Sequence, residues 1–197
     1  MSTPVDLGAL SRDVHRLARD DTDAAIILVE RHSTGDPARQ RLIASALHLS
    51  VTLGVLDGFL DRATGFLRTR STPWYGAGLA RATEDPHVLR ALGLLVSKRD
   101  ALDALAEEAL AEVAGALRHD NPPATVGRVD IARHYAARVA RALVSEGIGL
   151  LGASSASGKH GFDRFWRDLA AHQLRYPPGC DAEALGRNFI TETRVAS

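Results

Sequence analysis

The sequence predicts an all-α protein: an antiparallel four-helix bundle with extra N-terminal helices. Three observations point there. Ala, Leu, Arg and Glu dominate the 197 residues, and all four favour helix. No stretch of useful length alternates apolar and polar residues as a half-buried strand does. Apolar residues instead recur at helical spacing in long segments, and these segments end at breaks rich in Pro, Gly, Asp and Ser.

Residues 4 to 33 read as one broken helix or two short ones. Leu7, Leu10, Val14 and Leu17 make the first stripe. Asp20, Asp21 and Thr22 interrupt it, and each is a residue type that caps a second piece through Ile26, Ile27 and Val29. Ser33-Thr34-Gly35-Asp36-Pro37 is a stop followed by a restart, with Asp36 as N-cap and Pro37 in the first turn. A long helix is expected from Pro37 to about Arg70. Its apolar residues, from Leu42 to Leu60, fall on more than one face, so it is buried on several sides, by its own bundle or by a partner subunit. Arg68 and Arg70 lie in the last turn, where cations suit the helix dipole. Ser71-Thr72-Pro73-Trp74 breaks the helix. Glu84-Asp85-Pro86 opens a second long helix to about Leu117, and His119 to Pro123 ends it. A third runs from about Thr125 to Ile148. The fourth spans about Phe162 to Leu174, and a short helix is expected in the tail through Phe189. Residues 1–36 thus read as an N-terminal helical extension, and residues 37–197 as the bundle.

Lys plus Arg and Asp plus Glu are 24 each, so the formal charge is zero. That balance gives no reason to expect a nucleic-acid or acidic-membrane partner. The single cysteine, Cys180, excludes an intrachain disulfide framework and suits a reducing compartment. The first residues lack a basic start followed by an apolar core, and no uninterrupted apolar run reaches the roughly 18 residues of a membrane span. The expected address is the cytoplasm.

Three blocks carry a family resemblance: RTRSTPW at 68–74, RATEDPHVLRALG at 81–93, and LLGASSASGKHGFDRFWRDLAAH at 150–172. In this order and spacing they resemble the C-terminal helical domain of the acyl-CoA dehydrogenase superfamily, in its flavin-dependent monooxygenase branch. The resemblance covers most of residues 41 to 190. It implies a four-helix bundle that forms one wall of a flavin site, the other wall being a β-domain. Residues 1 to 40 resemble neither that β-domain nor the N-terminal helical domain of full-length members. The arginine ending the first bundle helix reaches the cofactor phosphates in such proteins, usually across a subunit interface, and Arg70 takes that place. The small-residue turn after the third helix lies near the flavin, and Gly152, Ser154 and Ser155 match it. The dehydrogenases' catalytic glutamate has no counterpart, its position falling near Tyr176. The monooxygenases' histidine, which helps form or hold the flavin hydroperoxide, corresponds to His172.

The resemblance therefore implies FMN or FAD as cofactor and a small organic substrate; a homo-oligomer, dimer or tetramer, is expected because the apolar area of the first two helices exceeds what one four-helix bundle buries comfortably. The resemblance leaves three roles open. The first is a flavin-linked monooxygenase-type domain completed by another chain. The second is a flavin-independent biosynthetic enzyme (cyclase, isomerase or lyase) using His172 as acid or base. The third is a non-catalytic partner of a larger flavoprotein. His172 is the candidate catalytic group because an imidazole exchanges protons near neutral pH. Arg167 and Trp74 are candidate substrate contacts. The alternatives are structural: Arg167 and Asp168 as ion pairs fixing the fourth helix, and Trp74, Tyr75 and Trp166 as anchors of loops. Asp130 and His134 have the i, i+4 spacing that permits shared metal ligation, but no second pair accompanies them, so no metal is expected.

Overall fold

The computed structural model describes residues 6–33, 36–73, 76–119, 127–179 and 182–195. The described residues form these α-helices: α1 (Leu7–Asp20), α2 (Thr22–His32), α3 (Pro37–Thr69), α4 (Pro86–Arg118), α5 (Arg128–Leu151), α6 (Asp163–Arg175) and α7 (Ala182–Val195). Short 3₁₀ turns at Ala82–Glu84, Ala153–Ala156 and Gly158–His160 join them. Aspartates start most of the helices. Asp21 ends α1 and accepts from Ala24 N at 2.9 Å to cap α2. Asp36 accepts from Ala38 N and Arg39 N, and Asp85 from His87 N, each followed by Pro at the first helical position. α5 starts and ends three residues later than the sequence pattern indicates, closing at Gly152, whose φ of 76° turns the chain out of the helix. α7 also runs past Phe189, to Val195.

α3, α4, α5 and α6 form an up-down-up-down bundle. Arg39 Nη1 reaches Leu117 O at one end of the α3–α4 pair and Asp57 meets Arg99 further along, so these helices are antiparallel. Ser45 meets Arg133, and the Phe59 ring lies on Gly147, so α3 and α5 run parallel. α6 returns antiparallel to α3, with Phe165 edge-on to Phe59 at 5.7 Å and Phe162 edge-on to Phe66 at 5.4 Å.

α1 lies parallel to α3 along its outer side. Ser11 pairs with Ser50 through buried hydroxyls at 2.8 Å, His15 with Asp57 at 2.8 Å, and Arg19 with Asp61. Asp57 also takes two hydrogen bonds from Arg99, at 2.7 and 2.8 Å, so one carboxylate ties α1, α3 and α4 together. Burial pushes its pKa up, but the bonds from His15 and Arg99 outweigh that and hold it at about 2. α6 grips the same hairpin: Asp168 accepts from Thr22 Oγ1 at 2.9 Å, and Arg164 donates to the carbonyls of Arg19 and Asp20 at the end of α1.

This packing accounts for the apolar faces of α3. Among the described residues α3 alone is long and apolar enough to cross a membrane when averaged over a window. However, 89 % of that window is buried inside the protein. Neighbours in the same chain supply its cover. The exposed apolar side chains lie elsewhere, including Leu89, Leu94 and Val96 on α4.

The close approach of α1 to α3 depends on glycine. A Cβ at Gly54 would stand 2.2 Å from the carbonyl oxygen of His15, and one at Gly58 would stand 2.3 Å from that of Arg19. Both contacts are to backbone, which cannot swing aside. Helix propensity alone makes Gly→Ala stabilising by about 1 kcal/mol. We expect Gly54→Ala instead to destabilise the fold by about 2–3 kcal/mol, since overpacking must push α1 outward. Urea unfolding measures this, and a variant more stable than the parent would show that α1 does not sit on this seam.

Candidate functional site

Two polar centres lie at different heights of the bundle. The first is at the C-terminal end of α3. Arg62, Phe66, Thr69 and Arg70 face the loop after α5, which contributes Lys159 and His160. Together they line a cavity of about 370 Å³. Arg62 Nε donates to His160 O at 2.9 Å, and the His160 ring meets Phe66 edge-on at 5.0 Å, which fixes the loop against α3. Partial burial, then the charges of Lys159, Arg70 and Arg62, lower the pKa of His160. The pocket is therefore an electropositive pit with an aromatic wall, suited to an anion.

Arg70 belongs to this pit, as the residue that closes α3. Gly152, Ser154 and Ser155 lie just upstream in the same α5–α6 connection. Gly152 and Ser154 are exposed. Ser155 is buried, and its hydroxyl donates to Gly152 O at 2.7 Å, so that hydroxyl holds the turn. Lys159, His160 and Arg62 complete the basic cluster. No sequence signal singles these three out, although Lys159-His160 follows the serine turn directly.

The second centre is inside the bundle. α6 points Phe165, Leu169 and His172 inward, at the i, i+4, i+7 spacing of a core stripe. His172 is 4 % exposed. Its Nε2 lies 3.1 Å from Nδ1 of His48, a buried imidazole on α3 that sequence reading also missed. Tyr176 stacks on His48 with ring centroids 4.3 Å apart. The Tyr176 hydroxyl bonds Glu30. Arg133 is buried beside them and donates to Ser45 Oγ and to the carbonyls of Tyr176 and Pro177.

Burial, then the His172 ring, then the Arg133 cation lower the His48 pKa to about 3. Burial and then Arg133 lower that of His172 to about 4. Both rings are neutral at pH 7 and hydrogen-bond each other as one donor and one acceptor. The Nδ1 of His172 has no hydrogen-bond partner, and neither has the buried Nε2 of Gln173. A cavity of about 10 Å³ adjoins His172, which is room for roughly one water.

The two centres do not meet within the chain. Arg70 lies 22 residues beyond His48 on the same axis, which is about 33 Å at 1.5 Å per residue. Arg167 lines neither cavity: it is exposed and pairs with Asp163 at 3.0 Å. Trp166 beside it is also exposed rather than anchored. Trp74, Tyr75 and Cys180 lie outside the described residues. Among the described residues no three His, Cys, Asp or Glu side chains are grouped to hold a metal.

The imidazole pair makes stability pH-dependent. Both rings are harder to protonate in the fold than in the unfolded chain. Their contribution is therefore complete above about pH 6.5 and is lost as pH falls from there toward the folded values. Between about pH 7 and pH 5 the loss should be on the order of 2 kcal/mol per imidazole. His172→Asn should remove about half of it. Urea unfolding at the two pH values checks this, and equal stability at both would mean that these rings are not held neutral.

The family model described as "Acyl-CoA dehydrogenase, C-terminal domain" matches residues 46–175. Dibenzothiophene monooxygenase of Rhodococcus erythropolis is 31% identical over 172 residues, covering 84% of this chain and 40% of that protein. The probable FMNH2-dependent monooxygenase SfnC of Pseudomonas putida is 26% identical over 170 residues, 83% of this chain and 43% of its own length. FMN-bound TdsC of Paenibacillus sp. A11-2 superposes with a TM-score of 0.68 at 30% identity, over 79% of this chain and 40% of that one. The chain spans about two fifths of the length of these relatives. On the extent of the family match and the shared helical fold, the chain belongs to the acyl-CoA dehydrogenase C-terminal domain family.

Proposed function

We propose that this chain is the helical wall of a flavin-dependent monooxygenase that acts on a small organic substrate, with FMN as cofactor. The observation that carries this reading is the basic pit at the end of α3. The resemblance assigns Arg70 to the cofactor phosphate, and Arg70 opens into a cavity with Arg62, Lys159 and His160 around it. The donor set fits a phosphate monoester: two guanidiniums for paired hydrogen bonds and an ammonium as a point charge. Phe66 and Phe162 supply apolar contact for the carbon chain that follows. The relatives point the same way, since TdsC was crystallised with FMN and SfnC is described as FMNH2-dependent.

Reduced flavin, when bound, supplies the electrons that activate dioxygen. The residues of this chain do the rest of what can be assigned. Arg62, Arg70 and Lys159 offset the phosphate charge and fix one end of the cofactor. The turn at Gly152–Ser155 sets the height of the loop carrying Lys159 and His160. His172, neutral and with Nδ1 uncommitted, is the group able to give or take a hydrogen bond at the other centre.

The separation of about 33 Å along α3 exceeds the length of FMN, so one molecule cannot touch Arg70 and His172 of the same chain. On this reading a flavin lies between the pit of one chain and the histidine-bearing region of another, in a homo-oligomer or with a larger flavoprotein.

Titration with FMN and riboflavin separates phosphate recognition from ring binding. FMN should bind, with its fluorescence quenched, and riboflavin should bind far more weakly. Arg70→Ala with Lys159→Ala should weaken FMN binding by roughly tenfold or more, the worth of one or two charge-assisted hydrogen bonds, and leave riboflavin unchanged. Equal affinity for the two flavins, or no binding of either, would overturn the proposal.

A further inference from the structure

A second cleft runs between α5 and α6, with a volume of about 580 Å³. Arg138 and Arg141 stand on its α5 wall, Gln173 and Leu174 on its α6 wall, and Pro177 and Pro178 close one end. None of these residues lines the pit around Arg70.

Three features of the cleft ask for a ligand. The first is charge. Arg138 and Arg141 are three residues apart on one helix, where like charges repel. Both are exposed, and neither makes an ion pair with a described residue. The second is apolar surface beside that charge. Leu174 is 85% exposed, on the wall opposite the guanidiniums, next to Pro177 and Pro178. The third is the floor: Gln173 lines the cleft, and its Nε2 is buried without a partner. Gln173, Ala137 and Pro178 also line the small cavity beside His172, whose Nδ1 is likewise uncommitted. The cleft therefore shares a wall with the imidazole centre.

We propose that the α5–α6 cleft binds a small organic carboxylate. Arg138 and Arg141 hold the carboxylate, whose two oxygens match a guanidinium fork. Leu174 and Pro177 pack against the carbon body, and Gln173 closes the floor. Such a ligand buries the exposed leucine and neutralises the repelling arginines together, which neither an inorganic anion nor a neutral hydrocarbon does.

The test is an NMR titration of the whole chain, without flavin, using benzoate, benzyl alcohol and inorganic sulfate. Because no flavin is present and neither arginine touches the Arg70 pit, the result is independent of the flavin reading. Benzoate should bind saturably, with shifts centred on residues of the cleft. Benzyl alcohol and sulfate should each bind at least tenfold more weakly. Arg138→Ala with Arg141→Ala should weaken benzoate at least tenfold, and Leu174→Ser should weaken it severalfold. All three side chains are exposed, so folding is preserved in these variants. Absence of benzoate binding, sulfate binding as tight as benzoate, or unchanged affinity in the double arginine variant would each overturn the proposal.

Discussion

A helix that is apolar on every side has to be surrounded, and α3 imposes that demand on the rest of the chain. From Leu42 to Phe59 nearly every side chain is buried. Two parallel neighbours and two antiparallel ones lie around it: α1 and α5, α4 and α6. Glycines let them come close. Gly54 and Gly58 admit the α1 backbone, and Gly147 on α5 admits the Phe59 ring, whose atoms lie 2.4 Å from where a Cβ would be. The N-terminal hairpin is thus part of the core, with Leu7, Leu10 and Val14 buried in the same cluster as the bundle.

Burial also decides the fate of the few polar groups on α3. Each needs a partner, and where the partner lies on a neighbouring helix it fixes that helix's register. Ser50 selects Ser11, Asp57 selects His15 and Arg99, and His48 selects His172. A hydrophobic core alone tolerates sliding; these pairs do not. The imidazole centre is therefore structural before it is anything else, and any chemistry at His172 is performed by a ring that also helps set α6 in place. Buried side-chain groups left without a partner stand out against this background, and the two among the described residues, His172 Nδ1 and Gln173 Nε2, share a wall of the bundle.

Much of this was legible in the residues. Asp-Pro pairs at 36–37 and 85–86 are strong start signals because the carboxylate caps and the proline loses nothing at the first position. Many-faced apolarity marked α3 as central, yet it could not say whether the cover came from this chain or another. Beyond the bundle itself, the cover is α1 and α2, whose own stripes looked like those of an appended extension. His48 was invisible for a different reason. It lies 124 residues from His172, and one histidine in an apolar helix carries no sign of its partner. The basic pit was half legible: Arg70 stood out by resemblance, whereas Arg62 and Lys159 acquire meaning only when the loop after α5 folds onto the end of α3.

The spacing along α3 joins the fold to the proposed chemistry. On the proposed reading, phosphate recognition sits at one end and the uncommitted imidazole near the other, and a bound flavin is shared between polypeptides. Sedimentation velocity in the presence of FMN, followed through the flavin's visible absorbance, tests this directly. Shared binding predicts that the colour sediments with a species containing at least two polypeptides. Colour that travels with a single chain, or that does not sediment with protein at all, would contradict it.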